Sequence, residues 1–383
     1  MADAEFMRLA LRWARRGRHL TSPNPMVGAV LVRRGQVIGR GWHRRAGLPH
    51  AEIEALLDAQ RRGHSPAGAT LYVTLEPCCT HGRTPPCTEA IIAAGVRRVV
   101  AGTTDPNPKH AGRGFAVLRS ASIEAELLAS ATGPSSPATT ATVERLAREC
   151  SQLNEVFNHW IVQRTPFVTV KAAMTLDGKI ATAAGESKWI TGPPARAFAM
   201  RLRAAHDAIL VGINTVLADD PSLTLRGDNP ANSPPKPLRR LVLDSRARTP
   251  LTAKVVTDEH AALTTIVVGR DAPERRVAAL GRRVRVWKAP GTAIALRWLL
   301  RKLGAEGVSS LLVEGGGEVG ASFLAAGLAH RVAFFYAPKI LGGRTARRGV
   351  AGEGAAAWHE VRRLSELRWQ RLGPDLLLTA RVA

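Results

Sequence analysis

Residues 70–95 read TLYVTLEPCCTHGRTPPCTEAIIAAG, and this stretch decides the architecture of the first half of the chain. The apolar segment before Pro77 predicts a β-strand, which the proline ends because it has no N–H to donate to a strand ladder. The segment that begins at Cys87 spaces its apolar residues as a short helix closed by Gly95. A strand followed by a helix is the repeating unit of a layered α/β protein.

The same alternation continues on both sides of this stretch. Residues 4–17 predict a helix, GAVLVRRGQVIGRGW (28–42) predicts two strands around an Arg-Gly turn, and AEIEALLDAQRRG (51–63) predicts a second helix. The second half begins again with the strand PFVTVKAAM (166–174) and alternates as far as the strand HRVAFFYAP (330–338). We therefore predict an α/β fold with a partly parallel sheet in each half.

The length of 383 residues suits two domains of ordinary size. The segment SATGPSSPATTAT (130–142) has no apolar period, so we predict a linker or an exposed loop there. The helix-like segment 143–163 follows it. The prediction is a first domain over 1–129, a linker and connecting helix over 130–164, and a second domain over 165–383.

The charge balance is strongly basic, with a formal net charge of +23. Of the 54 basic residues 45 are Arg, and they occur mostly singly or in pairs along the whole chain. Aromatic residues make up only 5%, which leaves little to stack on bases. We interpret the charge as a general drift toward Arg and expect no nucleic-acid partner. The sequence has no apolar run of about 18 residues and no secretory signal pattern, so we expect a cytoplasmic protein without membrane contact.

Three of the four cysteines lie within ten residues, which favours a metal site over disulfides. His50, Cys78 and Cys87 offer one imidazole and two thiolates, and Glu52 adds a carboxylate that is not a ligand. This is the donor set of a catalytic zinc with an open position for water, and Glu52 is the candidate proton shuttle. Taken singly, each residue is more often structural. Cys79 is a rival ligand, but adjacent residues point apart, so we assign the metal to Cys78.

The string TLEPCCTHGRTPPC (74–87) closely resembles the zinc motif of the riboflavin-pathway pyrimidine deaminases. Most of the cytidine-deaminase superfamily separates the two cysteines by two residues, whereas eight residues intervene here. TSPNPMVGAV (21–30) and DPNPKHAGRG (105–114) are similar to the substrate loops of the riboflavin family. The resemblance implies a cytidine-deaminase-like three-layer domain with substrate contacts from Asn24, Arg83, Asp105 and Asn107. The chain departs from the family in having Cys79-Thr80-His81 where Ser-His is usual.

The second half resembles, over essentially its whole length, the reductase domain that follows this deaminase in bifunctional bacterial proteins. The matching strings are KAAMTLDGKIA (171–181), GESKWITG (185–192), RAAHDAILVGINTVLADDPSLTLR (203–226), VLDS (242–245) and VEGGGEVGASF (313–323). The resemblance implies a dihydrofolate-reductase-like α/β fold that binds NADPH. The Gly triplet at 315–317 would let backbone N–H groups approach a phosphate at a helix start, and the doubly wound G-x-G-x-x-G fingerprint is absent.

Carried over position by position, the resemblance gives two sets of reductase residues. The cofactor candidates are Ala173, Trp189, Thr215, Asp219, Ser245, Gly316, Gly317, Glu318, Val319, Gly320, Ala321 and Ser322. The substrate candidates are Lys171, Ser187, Arg203, Leu223, Arg226 and Glu314. Arg203 and Arg226 suit the ribosyl phosphate because a guanidinium is a rigid fork of donors.

Together, the two resemblances imply a bifunctional enzyme that deaminates a phosphorylated pyrimidine and then reduces its ribosyl group to a ribityl chain. We expect one Zn²⁺ per chain, NADPH, small phosphorylated pyrimidine substrates, and a homo-oligomer, either a dimer or a tetramer. Two alternatives come from other classes. One is a nucleic-acid-editing zinc deaminase with an accessory domain, and the other is a catalytically silent RNA-binding protein.

Overall fold

The computed structural model describes residues 2–18, 20–81, 85–131, 137–225 and 237–383. The chain divides into two compact units, Met1–Arg164 and Thr165–Ala383. Both units alternate strands and helices, as the sequence predicts. Among the described residues, no helix is both long enough and apolar enough to cross a membrane.

The first unit is built around a mixed β-sheet. Its strands are β1 (Gly28–Arg33), β2 (Gln36–Trp42), β3 (Thr70–Val73), β4 (Arg98–Ala101) and β5 (Glu124–Leu127). Its helices are α1 (Ala2–Ala14), α2 (Ala51–Arg61), α3 (Cys87–Ala93), α4 (Arg113–Ser120), α5 (Leu128–Ala131), α6 (Pro137–Leu153) and α7 (Glu155–Gln163). The strand order is β2-β1-β3-β4-β5, antiparallel up to β3 and parallel from β3 to β5. The predicted turn joins β1 to β2 with both Arg34 and Gly35 at positive φ, which matches the twist of a tight hairpin.

Helices cover both faces of this sheet because successive residues of a strand point to opposite sides. Ala29 and Leu31 of β1 pack in one apolar cluster with α2, α3 and α4. Val30 and Val32 pack in another with α1, α5 and α6. The result is the three-layer arrangement that the family resemblance implies.

Residues 132–136 of the predicted linker lie outside the described residues. The linker residues on both sides of them are helical. Helix α5 ends at Ala131, and α6 already begins at Pro137. Val143, Leu146 and Cys150 of α6 are buried in the cluster that includes α1. The predicted linker and connecting helix therefore differ from the structure, which includes α5 to α7 in the first unit. The polar residues before Val143 concealed the start of α6, because its apolar face becomes regular only after them.

The second unit has a larger sheet. Its strands are β6 (Phe167–Thr175), β7 (Lys179–Ala181), β8 (Ala208–Gly212), β9 (Arg239–Leu243), β10 (Thr264–Val268), β11 (Arg285–Lys288), β12 (Ser310–Val313), β13 (Arg331–Ala337), β14 (Arg347–Arg348), β15 (Leu364–Leu372) and β16 (Asp375–Val382). Its helices are α8 (Pro193–Ala204), α9 (Ile213–Asp219), α10 (Lys254–Thr257), α11 (Glu274–Gly281), α12 (Leu296–Ala305) and α13 (Gly317–Ala325).

Within the described residues the main sheet has the order β11-β10-β9-β8-β12-β6-β13-β16-β15, and β7 pairs with β14 separately. The strands from β11 to β13 are parallel, and β16 and β15 add an antiparallel hairpin. Val170 and Leu210 pack on one face with α12 and α13, whereas Ile209 and Val211 pack on the other with α9, α10 and α11. Parallel strands buried on both faces explain the nearly continuous apolar runs of this half.

Candidate functional site

Three elements of the first unit bring the predicted metal ligands together. His50 is the residue before α2, Cys78 follows β3, and Cys87 is the first residue of α3. The backbone N–H of Cys87 donates to Cys78 Sγ at 3.3 Å, and the N–H of Thr88 donates to the Cys78 carbonyl at 3.2 Å. These bonds hold the start of α3 against the end of the strand segment.

The geometry of these three side chains suits a tetrahedral metal. His50 Nδ1 lies 3.2 Å from Cys87 Sγ and 3.5 Å from Cys78 Sγ, and the three donor atoms all lie within 4.8 Å of one another. Zinc bonds of about 2.0 Å to nitrogen and about 2.3 Å to sulfur place tetrahedral ligands roughly 3.5 to 3.8 Å apart. An imidazole and two thiolates at this spacing fit zinc with one position open. Among the described residues, this is the one such group of three His, Cys, Asp or Glu side chains.

The surroundings favour a thiolate at Cys78. A hydrogen bond from the Cys87 thiol lowers the pKa of Cys78 to about 4, and His50 and the backbone N–H of Cys87 act in the same direction. The proton stays on Cys87, whose pKa is raised by that hydrogen bond and by burial. Negative charge is thus stabilised at the sulfur before any cation is added.

Glu52 lies in the first turn of α2 beside the three ligands, and its side chain is buried. Its carboxyl group interacts with the Cys87 thiol. Burial raises the pKa of Glu52 to about 7. A carboxyl group with that pKa gains and loses a proton near neutral pH, as a proton-transfer residue requires.

Cys79 is directed away from this group. Its Sγ lies 3.8 Å from Nδ1 of His110, and Thr80 Oγ1 lies 3.4 Å from the other ring nitrogen of that histidine. The neighbouring cysteines therefore have different partners, as expected for adjacent residues of an extended segment. His81, the last residue of the Cys79-Thr80-His81 departure from the family motif, is exposed near Glu89.

Three of the residues predicted to contact the pyrimidine, Asn24, Asp105 and Asn107, lie on two loops of the first unit. Asn24 Nδ2 lies 3.1 Å from His43 Nε2, and His43 Nδ1 lies 3.1 Å from the carbonyl of Pro49. The ring of His43 also meets the ring of His50 edge to face, with their centroids 5.2 Å apart. Sequence reasoning missed His43, because nothing in its spacing distinguishes it from a core histidine.

On the other loop, Asp105 is buried and its Oδ1 accepts the backbone N–H of Asn107 at 2.8 Å. Burial raises the pKa of Asp105 to about 6. The fourth predicted contact, Arg83, lies outside the described residues.

In the second unit, several of the predicted residues lie near the carboxyl ends of adjacent parallel strands. Thr215 follows β8, Ser245 follows β9, and Glu314 follows β12. These strands are neighbours in the sheet, in the order β9-β8-β12-β6. Ligands of open α/β sheets bind in the crevice outside such strand ends.

A buried charge network lies at the centre of this edge. Lys171 Nζ donates to Glu314 Oε1 at 2.9 Å, and Arg203 Nε donates to Glu314 Oε2 at 2.7 Å. Burial alone would raise the pKa of Glu314, but the two cations hold it at about 2. Arg203 also donates to the carbonyl of Thr224 at 3.0 Å. These two bonds use two of its five N–H donors.

Two of the other predicted substrate residues, Ser187 and Leu223, lie among the described residues. Ser187 Oγ donates to Asp219 Oδ1 at 3.4 Å, and Lys188 Nζ lies 3.3 Å from the same oxygen. Leu223 is buried with φ at 53°, a strained backbone conformation for a bulky residue, of the kind found at functional sites. Arg226 lies outside the described residues.

The predicted cofactor residues differ in exposure, since Gly317, Gly320 and Ala321 are buried whereas Trp189 is exposed. The backbone N–H of Gly316 donates to Thr215 Oγ1 at 3.3 Å, which joins the start of α13 to α9. The residues from Gly317 to Ser322 form the first turns of α13. Trp189 is 63% exposed, with the Arg196 guanidinium 4.7 Å from its ring centroid. Ala173 lies on β6, and the carbonyl of Ser245 accepts the N–H of Gly269 at 3.0 Å.

Comparison with protein families agrees with the division into two units. Residues 1–103 match the cytidine and deoxycytidylate deaminase zinc-binding region, and residues 166–378 match the RibD C-terminal domain. The predicted fold classes of both halves, cytidine-deaminase-like and dihydrofolate-reductase-like, are thereby confirmed.

Individual relatives cover nearly the whole chain. The riboflavin biosynthesis protein RibD of Actinobacillus pleuropneumoniae is 41% identical over 99% of this chain and 95% of its own length. The structure of Acinetobacter baumannii RibD has a TM-score of 0.83 at 34% identity, covering 100% of this chain and 99% of that one.

A Thermotoga maritima structure described as a diaminohydroxyphosphoribosylaminopyrimidine deaminase/5-amino-6-(5-phosphoribosylamino)uracil reductase has a TM-score of 0.79 at 32% identity. It covers 100% of this chain and 99% of that one. The chain therefore belongs to the RibD family of riboflavin biosynthesis proteins, and it joins the family's deaminase domain to its reductase domain.

Proposed function

We propose that the chain catalyses two consecutive reactions. The first is hydrolytic deamination of 2,5-diamino-6-(5-phosphoribosylamino)pyrimidin-4-one. The second is NADPH-dependent reduction of the ribosyl group, which gives 5-amino-6-(5-phosphoribitylamino)uracil. The observation that carries this proposal is the convergence of His50, Cys78 and Cys87 beside the buried Glu52, in a chain that also has the reductase domain.

In the first unit we assign one Zn²⁺ to His50, Cys78 and Cys87, the donor set whose spacing fits it. When bound, zinc supplies a water whose pKa is lowered toward neutrality. Glu52 would carry two protons in turn: it accepts the first from the attacking water and passes it to the ring nitrogen, and it then takes the second from the same oxygen and passes it to the amino group, which leaves as ammonia. Its burial supports both steps, because the raised pKa keeps the two protonation states close in free energy.

We assign recognition of the pyrimidine to Asn24, Asp105, Asn107 and Arg83. An Asn amide offers both a donor and an acceptor to a pyrimidinone edge, and Arg offers a fork to phosphate. His43 supports the orientation of Asn24. Its Nδ1–H donates to Pro49 and leaves Nε2 as an acceptor for the Asn24 amide. Burial lowers the pKa of His43, which keeps the ring neutral as this arrangement requires.

In the second unit we assign NADPH to the surface formed by Trp189, Thr215, Asp219 and the start of α13, together with Ala173 and Ser245. When bound, NADPH supplies the hydride. The start of α13 offers backbone N–H groups to a phosphate. Lys171, Ser187, Arg203, Leu223, Arg226 and Glu314 are assigned to the substrate. Lys171 is oriented by Glu314, so its ammonium is held at a fixed point of the crevice.

A coupled assay on the purified protein tests both assignments. With the diamino substrate, we expect ammonia release that depends on zinc, followed by NADPH oxidation in equal amount. With the deaminated substrate, we expect NADPH oxidation without ammonia. Ammonia release from single-stranded RNA or DNA, with none from the pyrimidine phosphate, would overturn the proposal in favour of a nucleic-acid-editing deaminase.

We also propose that the chain forms a homo-oligomer, and the C-terminal hairpin supports this. Within the described residues β15 lies at the edge of the main sheet, where Leu367 is 53% and Trp369 is 58% exposed. Exposed apolar residues on a sheet edge are features that a partner chain covers. Light scattering should give a dimer or a tetramer, and Trp369→Glu should shift it toward the monomer. A wild-type monomer would overturn the proposal.

A cytoplasmic location is proposed as well. Cys78, Cys79, Cys87 and Cys150 are all free thiols, and two of them are the proposed zinc ligands. Free thiols persist in a reducing compartment. Fractionation of cells that express the chain should place it with cytoplasmic enzymes, and recovery from the membrane or the medium would contradict this.

A further inference from the structure

We propose that Glu76 is a positioning residue of the deaminase site, which fixes the loop that carries Asp105 and Asn107. The inference rests on the proposed function only in assigning those two residues to substrate recognition. The hold of Glu76 on the loop stands on the geometry alone.

The carboxylate of Glu76 accepts hydrogen bonds from three backbone N–H groups. Its side chain is buried, with 3% of the residue exposed. Its Oε2 accepts the N–H groups of Asp105 at 3.1 Å and of Gly112 at 3.0 Å, and its Oε1 accepts the N–H of Gly114 at 2.9 Å. One side chain thus binds both the beginning and the end of the loop.

The backbone reinforces this hold. The N–H of Glu76 donates to the carbonyl of Thr103 at 2.9 Å. At Gly114 an added Cβ would lie 2.3 Å from the Pro77 carbonyl oxygen and 3.0 Å from Glu76 Oε1. Only glycine lets the loop approach this closely, so its end is fitted to the segment that contains Glu76.

Glu76 is close in sequence to a proposed metal ligand. Glu76 lies two residues before Cys78, so a single short segment fixes a metal ligand and the loop. Fixing Asp105 also restrains Asn107, because Asp105 Oδ1 accepts the N–H of Asn107 at 2.8 Å. The distance between the reacting centre and the groups that hold the pyrimidine is therefore set through Glu76. Displacing such groups by about 1 Å can lower the rate by about 100-fold.

The chemistry requires a carboxylate at this position. Three N–H groups converge on two oxygens, and charge-assisted hydrogen bonds of this kind are stronger than neutral ones. A glutamine has one oxygen and an NH₂ group, so at least one of the three N–H groups would face a donor. A buried donor left without an acceptor destabilises the local structure. Glu76→Gln therefore loosens the loop while it leaves the shape of the side chain almost unchanged.

The test compares Glu76→Gln with Glu89→Gln in the full-length protein. Glu89 is a matched control because it lies in the first turn of α3 with its side chain 59% exposed. We expect Glu76→Gln to lower kcat/KM for deamination by about 10- to 150-fold, with much of the loss in KM. Zinc content and the reductase rate should match those of wild type. Glu89→Gln should match wild type in every measurement.

Hydrogen exchange supplies a readout that does not depend on activity. In wild type, the amides of Asp105, Gly112 and Gly114 should be protected to the level of β4. In Glu76→Gln, exchange over 103–114 should become faster while exchange over β1 and β3 stays unchanged. Unprotected amides in wild type would overturn the proposal even where the variant fails to fold.

Two further outcomes would also overturn it. Glu76→Gln could retain the wild-type KM and wild-type exchange, which would show that the loop does not depend on Glu76. It could instead lose zinc, which would place Glu76 in support of the metal. Failure of the proposed function looks different, because wild type would then lack deaminase activity while the exchange measurement still decides whether Glu76 holds the loop.

Discussion

The two candidate sites of this chain are built in different ways. In the first unit, three ligand side chains and one carboxyl group come from two helix starts and one strand end, within 38 residues of sequence from His50 to Cys87. In the second unit, the candidate residues span more than 150 residues of sequence, from Lys171 to Ser322. Those that follow β8, β9 and β12 lie at one edge because these strands are neighbours in one sheet.

This contrast extends to the charges at the two sites. Burial is the largest influence on Glu52 and raises its pKa to about 7, although His50 acts in the opposite direction. Glu314 is buried between Lys171 and Arg203, and its pKa is about 2. A glutamate side chain is thus suited to move a proton at Glu52 and to remain a fixed negative charge at Glu314. We therefore expect chemistry at the first site to depend on single residues and binding at the second to depend on a network.

The largest effect should come from the loss of a metal ligand. We expect Cys87→Ser to lose zinc and essentially all deaminase activity, because a hydroxyl is a poor zinc ligand compared with a thiolate. The reductase rate on deaminated substrate should stay near wild type. Metal analysis and the two separate rate assays measure these quantities.

Cys150→Ser is the matched control for this variant. Cys150 is a buried thiol of the same unit, on α6 and outside the ligand group. It should keep zinc and deaminase activity. Equal zinc loss in both variants would mean that general destabilisation, and not coordination, explains the result.

The next effect concerns Glu52. Glu52→Gln keeps the size of the side chain but cannot transfer protons, so deamination should fall by about 10² to 10⁴-fold. Zinc content and reduction should be unaffected. Glu54→Gln, two residues further along α2 and ion-paired with Arg44 at 3.4 Å, provides the comparison. If Glu52→Gln kept wild-type deamination, Glu52 would have no part in the proton transfer.

The two sites also differ in how much of each could be predicted from the sequence. The metal group is local, so the spacing of His50, Cys78 and Cys87 and their places at helix starts predicted which side chains meet. The reductase residues are distant in sequence and were assigned only through resemblance. Their place at adjacent strand ends depends on the strand order, which no local pattern contains.

The contacts of His43 and Glu76, which the sequence did not predict, join residues that are distant in sequence or in loops. His43 and Glu76 act through backbone groups that come near them only in the folded chain. The hairpin of β15 and β16 was not predicted either. β15 is almost entirely exposed, so its sequence LSELRWQRL lacks the apolar alternation of a half-buried strand.

A third, smaller effect tests the network of the second unit. Glu314→Gln leaves Lys171 and Arg203 without their buried counter-charge. We expect the reductase kcat/KM to fall by about 10- to 150-fold and deamination to be unchanged. The exposed Glu353 supplies a control, since Glu353→Gln should behave as wild type. If reduction were unchanged in Glu314→Gln, the network of Lys171, Arg203 and Glu314 would have no role in binding the substrate.

The same variant predicts a pH dependence of stability. The pKa of Glu314 is lowered from its ordinary value of 4.5 to about 2. A lowered pKa stabilises the folded state above the unfolded pKa, and that stabilisation is lost as the pH falls through the folded value. It amounts to about 3 kcal/mol for this shift. Denaturant unfolding of the second unit should show this difference between wild type and Glu314→Gln at pH 7. The difference should shrink below pH 4.5 and be almost gone near pH 2.

The smallest expected effect is that of Cys79→Ser, and it decides how local the first site is. Cys79 is adjacent to a proposed ligand, yet its Sγ lies 3.8 Å from His110 Nδ1 and is not part of the ligand group. Its pKa is raised by burial and by Glu76, so it has less thiolate character than Cys78. Serine is close to it in size and can still hydrogen-bond to His110. Zinc content and deaminase kcat/KM should therefore stay within about twofold of wild type, since substitutions away from ligands are small in effect. Cys78→Ser should lose both. The reverse pattern would move the metal by one residue and show that the chain has shifted its ligand relative to the rest of the family.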